Sequence, residues 1–141
     1  MKTLLHSAEI LLRALVGALF VYAGSTKIAD PRAFADAIHA FHVLPVALID
    51  PLAVSLPIFE VLVGLSIVLG WRLRENALSA ALMTAVFLAV LIQANLRGLD
   101  TDCGCFGPGE WTALRSVPPI VRDLALLAGT LFLRLCRPAP G

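Results

Sequence analysis

The stretch that decides the fold is residues 77–96, whose sequence ALSAALMTAVFLAVLIQANL contains no charged residue. A helix needs about 20 mostly apolar residues to cross the hydrocarbon core of a bilayer. Three other stretches of the chain have a similar length and apolar character. Together the four stretches predict membrane spans at residues 8–27, 48–70, 77–97 and 118–136. Only short connections remain between the spans, which favours a compact antiparallel bundle.

The composition of the chain excludes most soluble protein classes. Hydrophobic residues make up 59% of its 141 residues and charged residues 15%, and the mean hydropathy is +0.88. A soluble domain has about 45–50% apolar and about 25% charged residues, so this surface is better suited to lipid. The formal net charge of +1 argues against a basic face for nucleic acid. The sequence therefore predicts an all-α integral membrane four-helix bundle that forms a single domain over residues 1–141.

The lysines and arginines near the ends of the spans predict the orientation. One side of the predicted bundle holds Lys2, Arg13, Arg72, Arg74, Arg134 and Arg137, and the other holds Lys27, Arg32, Arg97, Arg115 and Arg122. Because basic residues favour the cytoplasmic side, we expect both termini inside and the first and third loops outside. Glu9 and Arg13 interrupt the first apolar stretch, which favours a retained span over a cleaved signal peptide.

The first loop carries the pattern of a short amphipathic helix. Asp30 followed by Pro31 is typical of a helix start, with Asp as the N-cap and Pro at the first helical position. Phe34, Ile38 and Phe41 then follow at helical spacing. Two interpretations are open: the helix lies on the outer membrane surface, or it is a lid that packs on the bundle.

The third loop contains the clearest candidate for chemistry, which is two cysteines separated by one glycine. A disulfide between Cys103 and Cys105 would close a small strained ring, with Gly104 easing the backbone. Strained, exposed disulfides are oxidising and exchange readily, and disulfides persist outside the cytoplasm. Thiol–disulfide exchange by these cysteines is therefore the leading functional prediction. The structural alternative is a permanent bond that pins a tight loop.

Two other functions are open on the residues alone. The thiolates of Cys103 and Cys105 are soft ligands suited to Cu(I) or Zn. His39 and His42 lie on the same predicted side and would complete a set of four ligands in a metal carrier. With a structural disulfide instead, the protein would be a non-catalytic membrane scaffold or chaperone for an exported enzyme. Cys136 lies at the opposite membrane face, where we expect a small apolar filler.

Glu60 is the second unusual residue, because it lies near the middle of the second span. An ionisable group at that depth is costly and faces protein or trapped water. Its predicted partners are Arg13 on the first span, or Gln93 and Asn95 on the third. A proton or gating function is open, but a buried structural pair or a protonated carboxyl is the favoured interpretation. At the start of the fourth span, Asp123 is interpreted as a partner of the helix dipole.

Four groups of residues match a known family pattern. They are Tyr22-Ala23-Gly24-Ser25-Thr26-Lys27 with Asp30-Pro31 and Phe34; Leu44-Pro45; Leu56-Pro57 with Glu60, Gly64 and Gly70; and Cys103-Gly104-Cys105-Phe106-Gly107. In these residues the chain resembles the MauE/DoxX family of redox-associated membrane proteins. The resemblance implies a four-helix bacterial inner-membrane protein that supports thiol redox chemistry or the maturation of exported proteins. The MauE branch serves methylamine dehydrogenase alongside a thioredoxin-like partner.

The resemblance also implies residue roles and partners. Cys103 and Cys105 would be the redox pair of a thiol–disulfide oxidoreductase component, while Lys27 and Glu60 match family positions without an assigned role. The expected partners are the lipid bilayer and either a thioredoxin-like protein or an exported thiol client, with no nucleic acid. A homo-oligomer is compatible with the sequence. No cofactor is expected: a quinone would suit the redox chemistry, but no quinone site is readable in the sequence.

Overall fold

The computed structural model describes residues 1–98 and 119–135 of the chain. Within these ranges it contains five α-helices and no strand. The helices are α1 (Lys2–Ala29), α2 (Pro31–Ala40), α3 (Val46–Leu69), α4 (Leu73–Leu96) and α5 (Pro119–Leu135). The all-α prediction is confirmed for these residues, and α1, α3 and α4 are long and apolar enough to cross a membrane. Each predicted span overlaps a helix. The helix α1 begins before the predicted span because residues 2–7, which include the polar His6, are helical as well.

The antiparallel pair of α1 and α3 is held together by glycines. A Cβ atom added at Gly17 would lie 2.7 Å from the carbonyl oxygen of Gly64, and one added at Gly64 would lie 2.8 Å from the Gly17 oxygen. One added at Gly24 would lie 2.8 Å from the Pro57 oxygen. Small residues permit this close backbone approach between membrane helices. The two contacts fix the register that brings the end of α1 beside the first half of α3.

A tight turn at Gly70 reverses the chain between α3 and α4. Gly70 has a φ of 73°, a left-handed conformation that glycine adopts at little cost. Its N–H donates to the Ile67 carbonyl at 3.1 Å, and the Trp71 N–H donates to the Ser66 carbonyl at 3.0 Å. These two bonds form a Schellman motif, which satisfies the last carbonyls of α3. The short turn makes α3 and α4 antiparallel neighbours.

The first-loop helix α2 packs against α3 and α1. The Asp30 carboxylate accepts a hydrogen bond from the Ala33 backbone N–H at 3.1 Å, and Pro31 is the first helical residue, as the sequence predicts. Phe34 points into the protein and is buried. The observed packing therefore favours the lid interpretation of this helix.

The four longer helices share one apolar core, in which α4 packs mainly on α5 and α1 mainly on α3. The buried core residues are Val16, Phe20, Val63, Ile67, Leu73, Ala77, Ala80 and Leu133. Large apolar side chains such as Leu15, Leu62 and Val86 remain exposed on the outer faces of the helices. Soluble monomers rarely expose apolar surface on this scale, so the outer surface is suited to lipid.

Candidate functional site

A buried ion pair joins α1 to α3. The Lys27 ammonium donates a hydrogen bond to Glu60 Oε2 at 2.8 Å. The exposed fraction is 2% for Lys27 and 6% for Glu60. Lys27 lies in the last turn of α1, and Glu60 lies three residues after Pro57, so the close contact at Gly24 places them side by side. Removing two charges from water is costly, and their short contact offsets part of this cost.

Two phenylalanines from other helices complete the surroundings of the Lys27 ammonium. Lys27 Nζ lies 5.1 Å from the ring centroid of Phe34 on α2 and 5.0 Å from that of Phe87 on α4. Ammonium groups within about 6 Å of an aromatic ring face are attracted by its quadrupole, more strongly when water is excluded. Four helices therefore contribute groups around a single ammonium.

The fifth helix adds two charged residues close to this pair. Arg122 and Asp123 are buried, and Arg122 Nε lies 3.9 Å from Asp123 Oδ1. Asp123 Oδ2 has no hydrogen-bond partner among the described residues. Asp123 lines a cavity of about 30 Å³ together with Lys27, Glu60 and Thr84. This volume is enough for a water molecule, and polar groups of this kind are what a buried water requires.

The charged side chains thus form one cluster, which we call the polar centre: Lys27, Glu60, Arg122 and Asp123. It contains two basic and two acidic groups, so its formal charge is balanced. It lies among apolar side chains such as Leu19 and Leu126, which line the same cavity. A balanced, enclosed cluster of this kind is suited to orienting a small polar group or to passing protons between side chains.

Comparison with known proteins identifies the family of the chain. Residues 4–136 match the family model of the methylamine utilisation protein MauE. The methylamine utilization protein MauE of Paracoccus denitrificans is 31% identical over 134 residues, which cover 91% of this chain and 69% of the relative. The chain belongs to the MauE family. No solved structure matches it.

Membership of the MauE family confirms the resemblance inferred from the sequence, and the helices make this MauE-family chain a bacterial membrane protein. Two residues that matched the family pattern, Lys27 and Glu60, are brought into direct contact. The sequence did not predict this pairing. In the sequence, Lys27 contributes to the predicted orientation and matches a family position, but a lysine at the end of a span ordinarily reaches toward the membrane surface, so a buried partner is not expected.

The predicted partners of Glu60 were wrong. Arg13 donates instead to the backbone carbonyls of Ile67 at 3.3 Å and Val68 at 3.1 Å, at the end of α3. It lies 14 residues before Lys27 on a helix that rises 1.5 Å per residue, so it is about 21 Å from the level of the ion pair. Arg13 therefore caps α3 and takes no part in the polar centre.

Gln93 and Asn95 also lie away from Glu60, because both are exposed on the last turns of α4. The position of Asp123 also differs from the sequence interpretation, which placed this residue at the start of the fourth span as a partner of the helix dipole. α5 begins at Pro119, so Asp123 lies beyond the first turn and is 4% exposed. The burial of Arg122 and Asp123 could have been predicted from their position inside an otherwise apolar stretch, because charged residues within a span face the protein interior.

The remaining predicted site residues fall into two groups. His39 and His42 lie together, with ring centroids 5.7 Å apart and ring planes at 64°. Within residues 1–98 and 119–135, no group of three metal-ligating side chains is present. Cys103, Cys105 and Cys136 lie outside the described residues, so their redox role, and the metal set that combines two of them with the histidines, stay predictions.

Proposed function

We propose that this MauE-family protein supports thiol–disulfide exchange during the maturation of exported proteins, with Cys103 and Cys105 as the exchanging pair. The observation that carries the proposal is family membership over residues 4–136 combined with a Cys-Gly-Cys motif in the segment that follows α4. The Paracoccus denitrificans relative is named for methylamine utilization. We infer that the client of this chain is methylamine dehydrogenase or another exported protein with disulfides.

The exchange step conserves thiols and disulfides. A client thiolate attacks one sulfur of the Cys103–Cys105 disulfide and forms a mixed disulfide while the other cysteine leaves as a thiolate. The second client thiolate then attacks the mixed disulfide, so that the client gains one disulfide and the pair becomes two thiols. A thioredoxin-like protein can take the place of the client in the same two steps.

The proposed topology has four spans, formed by α1, α3, α4 and α5 in the bacterial inner membrane. α5 has 17 residues, which at 1.5 Å per residue give about 25 Å, somewhat less than the roughly 30 Å hydrocarbon core. With an even number of spans, both termini lie on one side, and we place them in the cytoplasm from the distribution of basic residues. The loop after α4 then lies outside the cytoplasm, where disulfides persist.

The polar centre supports this proposal by its position. Lys27, at the end of α1, lies beside Phe87 in the second half of α4. The ends of α1 and α4 therefore belong to the same side of the protein, and the segment that carries Cys103 and Cys105 follows the end of α4 in the sequence. We propose that the ion pair between Lys27 and Glu60 holds this side rigid, so that the redox loop and α2 present a defined surface to a client.

The test is to replace the cysteines one at a time and to follow client disulfides. In a Paracoccus denitrificans strain that lacks its own MauE, this chain is expressed as wild type, Cys103→Ser, Cys105→Ser or Cys136→Ser. We expect both loop variants to abolish growth on methylamine and to leave free thiols in the client, measured by alkylation and gel shift. Cys136→Ser is the matched control and should behave as wild type.

Normal client disulfides in both loop variants would overturn the exchange mechanism. If client binding persisted in those variants, measured by co-purification with the membrane protein, a non-catalytic scaffold would be the correct description. Bound copper or zinc that disappears with the loop thiols and with His39→Ala would instead identify a metal carrier.

A further inference from the structure

The cavity of the polar centre is lined by one polar side chain from each of four helices. Lys27 belongs to α1, Glu60 to α3, Thr84 to α4 and Asp123 to α5. Each of the four residues is at most 6% exposed. The cavity therefore lies where these helices meet, and an ammonium, a hydroxyl and two carboxyl groups surround it.

These side chains have hydrogen-bonding capacity that the described part of the protein does not use. Asp123 Oδ2 is buried without a hydrogen-bond partner among the described residues. Within the same ranges, the Lys27 ammonium, which has three N–H donors, donates one hydrogen bond, to Glu60. The Thr84 hydroxyl donates to the Ala80 carbonyl at 2.8 Å, and its oxygen can accept as well. Because an unpaired buried carboxylate oxygen is costly, the cavity requires a ligand that donates to Asp123.

The size and the charge of the cavity indicate which ligand it takes. Its volume of about 30 Å³ admits one or two water molecules, since each needs about 10–15 Å³. The polar centre has two basic residues, Lys27 and Arg122, and two acidic residues, Glu60 and Asp123. An ion would therefore add an uncompensated charge in an apolar setting, which is costly. The ligand that fits is small and neutral, and it both donates and accepts hydrogen bonds.

We propose that the cavity binds a water molecule that joins Asp123 to the ion pair of Lys27 and Glu60. The water accepts a hydrogen bond from the Lys27 ammonium and donates one to Asp123 Oδ2. Its second O–H donates to the Thr84 hydroxyl oxygen. Three hydrogen bonds are the usual number for a buried water molecule in a protein.

This water links α5 to helices that it otherwise contacts little. α5 packs mainly on α4 and lightly on α1, and the described residues show no close backbone contact between α5 and α3. Glu60 and Asp123 nevertheless line the same cavity, and their like charges repel each other. A water held by both Lys27 and Asp123 offsets this repulsion and couples α5 to the pair of α1 and α3. The site is independent of the proposed thiol exchange, because none of its residues lies in the segment that carries Cys103 and Cys105.

Hydroxyl-radical footprinting detects the water directly. The full chain in lipid nanodiscs is irradiated, and oxidation of Met83, which lines the cavity, is read by mass spectrometry. Methionine sulfur reacts with radicals that form from a neighbouring water molecule. Met1, which is 95% exposed, is the internal control in every sample. We expect Met83 oxidation in wild type, and at least about threefold less in Asp123→Leu and, independently, in Thr84→Val, because the water then has fewer than its usual partners.

Thr130→Val is the matched control for Thr84→Val. Thr130 is also buried, its hydroxyl also donates to a backbone carbonyl, and it does not line the cavity, so Met83 oxidation should equal that of wild type. Size-exclusion chromatography checks that each variant is folded. A lack of Met83 oxidation in wild type, with Met1 oxidised, would overturn the water site. Unchanged Met83 oxidation in folded Asp123→Leu and Thr84→Val would overturn it as well.

A double-mutant cycle tests the link between α1 and α5. Lys27→Met and Asp123→Asn are made singly and together, and the equilibrium constant of unfolding is measured in detergent. We expect the effect of the double variant to differ from the product of the single effects by at least about threefold, because linked residues do not act independently. Lys27→Met with Arg74→Ala is the control pair. Arg74 lies near the other end of α4, about 20 Å from the level of Phe87 at 1.5 Å per residue, so these two effects should multiply.

The two measurements together distinguish the water from a direct contact. Independent effects of Lys27→Met and Asp123→Asn would overturn the link between the helices. A clear deviation from independence without Met83 oxidation in wild type would replace the water by a direct contact of the Asp123 carboxylate with the ammonium. A deviation together with Met83 oxidation that depends on Asp123 and Thr84 is the result expected for the bridging water.

Discussion

Lys27 and Glu60, 33 residues apart in the sequence, meet at 2.8 Å inside the protein. Their contact joins the last turn of α1 to α3, and the rings of Phe34 and Phe87 enclose the ammonium. The pair lies at the side of the molecule where α1 ends and α2 begins. It is therefore a structural link between α1 and α3.

The first prediction concerns the stability of this ion pair. Lys27→Met leaves Glu60 buried without its partner, and the loss of one member of a buried pair costs about 3–5 kcal/mol in the free energy of unfolding. We expect Lys27→Met/Glu60→Leu to recover most of this loss, because two apolar side chains avoid the desolvation cost. The measurement is reversible unfolding in detergent by SDS titration.

The matched control for the ion pair is the exposed pair Arg72 and Glu75, whose side chains are 64% and 63% exposed. Arg72→Ala should change the free energy of unfolding by no more than about 1 kcal/mol, as is usual for surface pairs. A double variant Lys27→Met/Glu60→Leu as unstable as Lys27→Met alone would contradict the assignment, since it would show that the loss comes from packing and not from an unpaired charge.

The second prediction concerns the glycine contact between α1 and α3. Gly64→Ala would place a Cβ atom 2.8 Å from the backbone oxygen of Gly17, and a backbone atom cannot move aside without separating the helices. We expect a loss of about 1–3 kcal/mol in the free energy of unfolding, the usual cost of overpacking. Gly129→Ala is the control, because its nearest neighbours are side-chain atoms of Val16 at 3.3 Å and Leu12 at 3.7 Å. A similar loss in both variants would argue against a special contact at Gly64.

The sequence predicts the helices of this protein better than it predicts their partners. A run of about 20 apolar residues in lipid must satisfy its own backbone hydrogen bonds, which favours a helix. The helical segments can therefore be predicted from composition. The Asp30-Pro31 start of α2 follows from local capping rules in the same way. Both predictions depend on neighbours in the sequence and need no knowledge of how the helices pack.

The polar centre depends on helix register, which the sequence does not display. The sequence indicates that Glu60 needs a partner, since an isolated charge in a span is costly. Glu60 pairs with Lys27 and not with Arg13 because Gly24 of α1 packs closely against Pro57 of α3. This contact fixes the register of the two helices and places Lys27 opposite Glu60. Asp123 was missed for a related reason, because its burial depends on where α5 begins and on which face packs against α4.

The third prediction separates Arg13 from the polar centre. Arg13→Gln removes a charged donor from the carbonyls of Ile67 and Val68 at the end of α3. A hydrogen bond to a charged group is worth about 1.5–3 kcal/mol, and the Arg13 side chain is 16% exposed, so we expect a loss near the lower limit. The measurement is the free energy of unfolding in detergent. Client disulfide formation should stay at the wild-type level, and a selective loss of it at unchanged stability would return Arg13 to the functional site.

The last prediction concerns the orientation of the chain in the membrane. The ends of α1 and α4 lie on one side, as the contact of Lys27 with Phe87 requires, so one accessibility measurement orients the whole protein. The chain has three cysteines, and we place Cys103 and Cys105 outside the cytoplasm and Cys136 inside. After mild reduction, a membrane-impermeant maleimide applied to intact cells should label Cys136→Ser, which keeps the loop pair. Cys103→Ser/Cys105→Ser keeps only Cys136 and should be labelled only after lysis. The reverse pattern would invert the orientation, place the loop pair in the reducing cytoplasm and remove the basis for a stable exchanging disulfide.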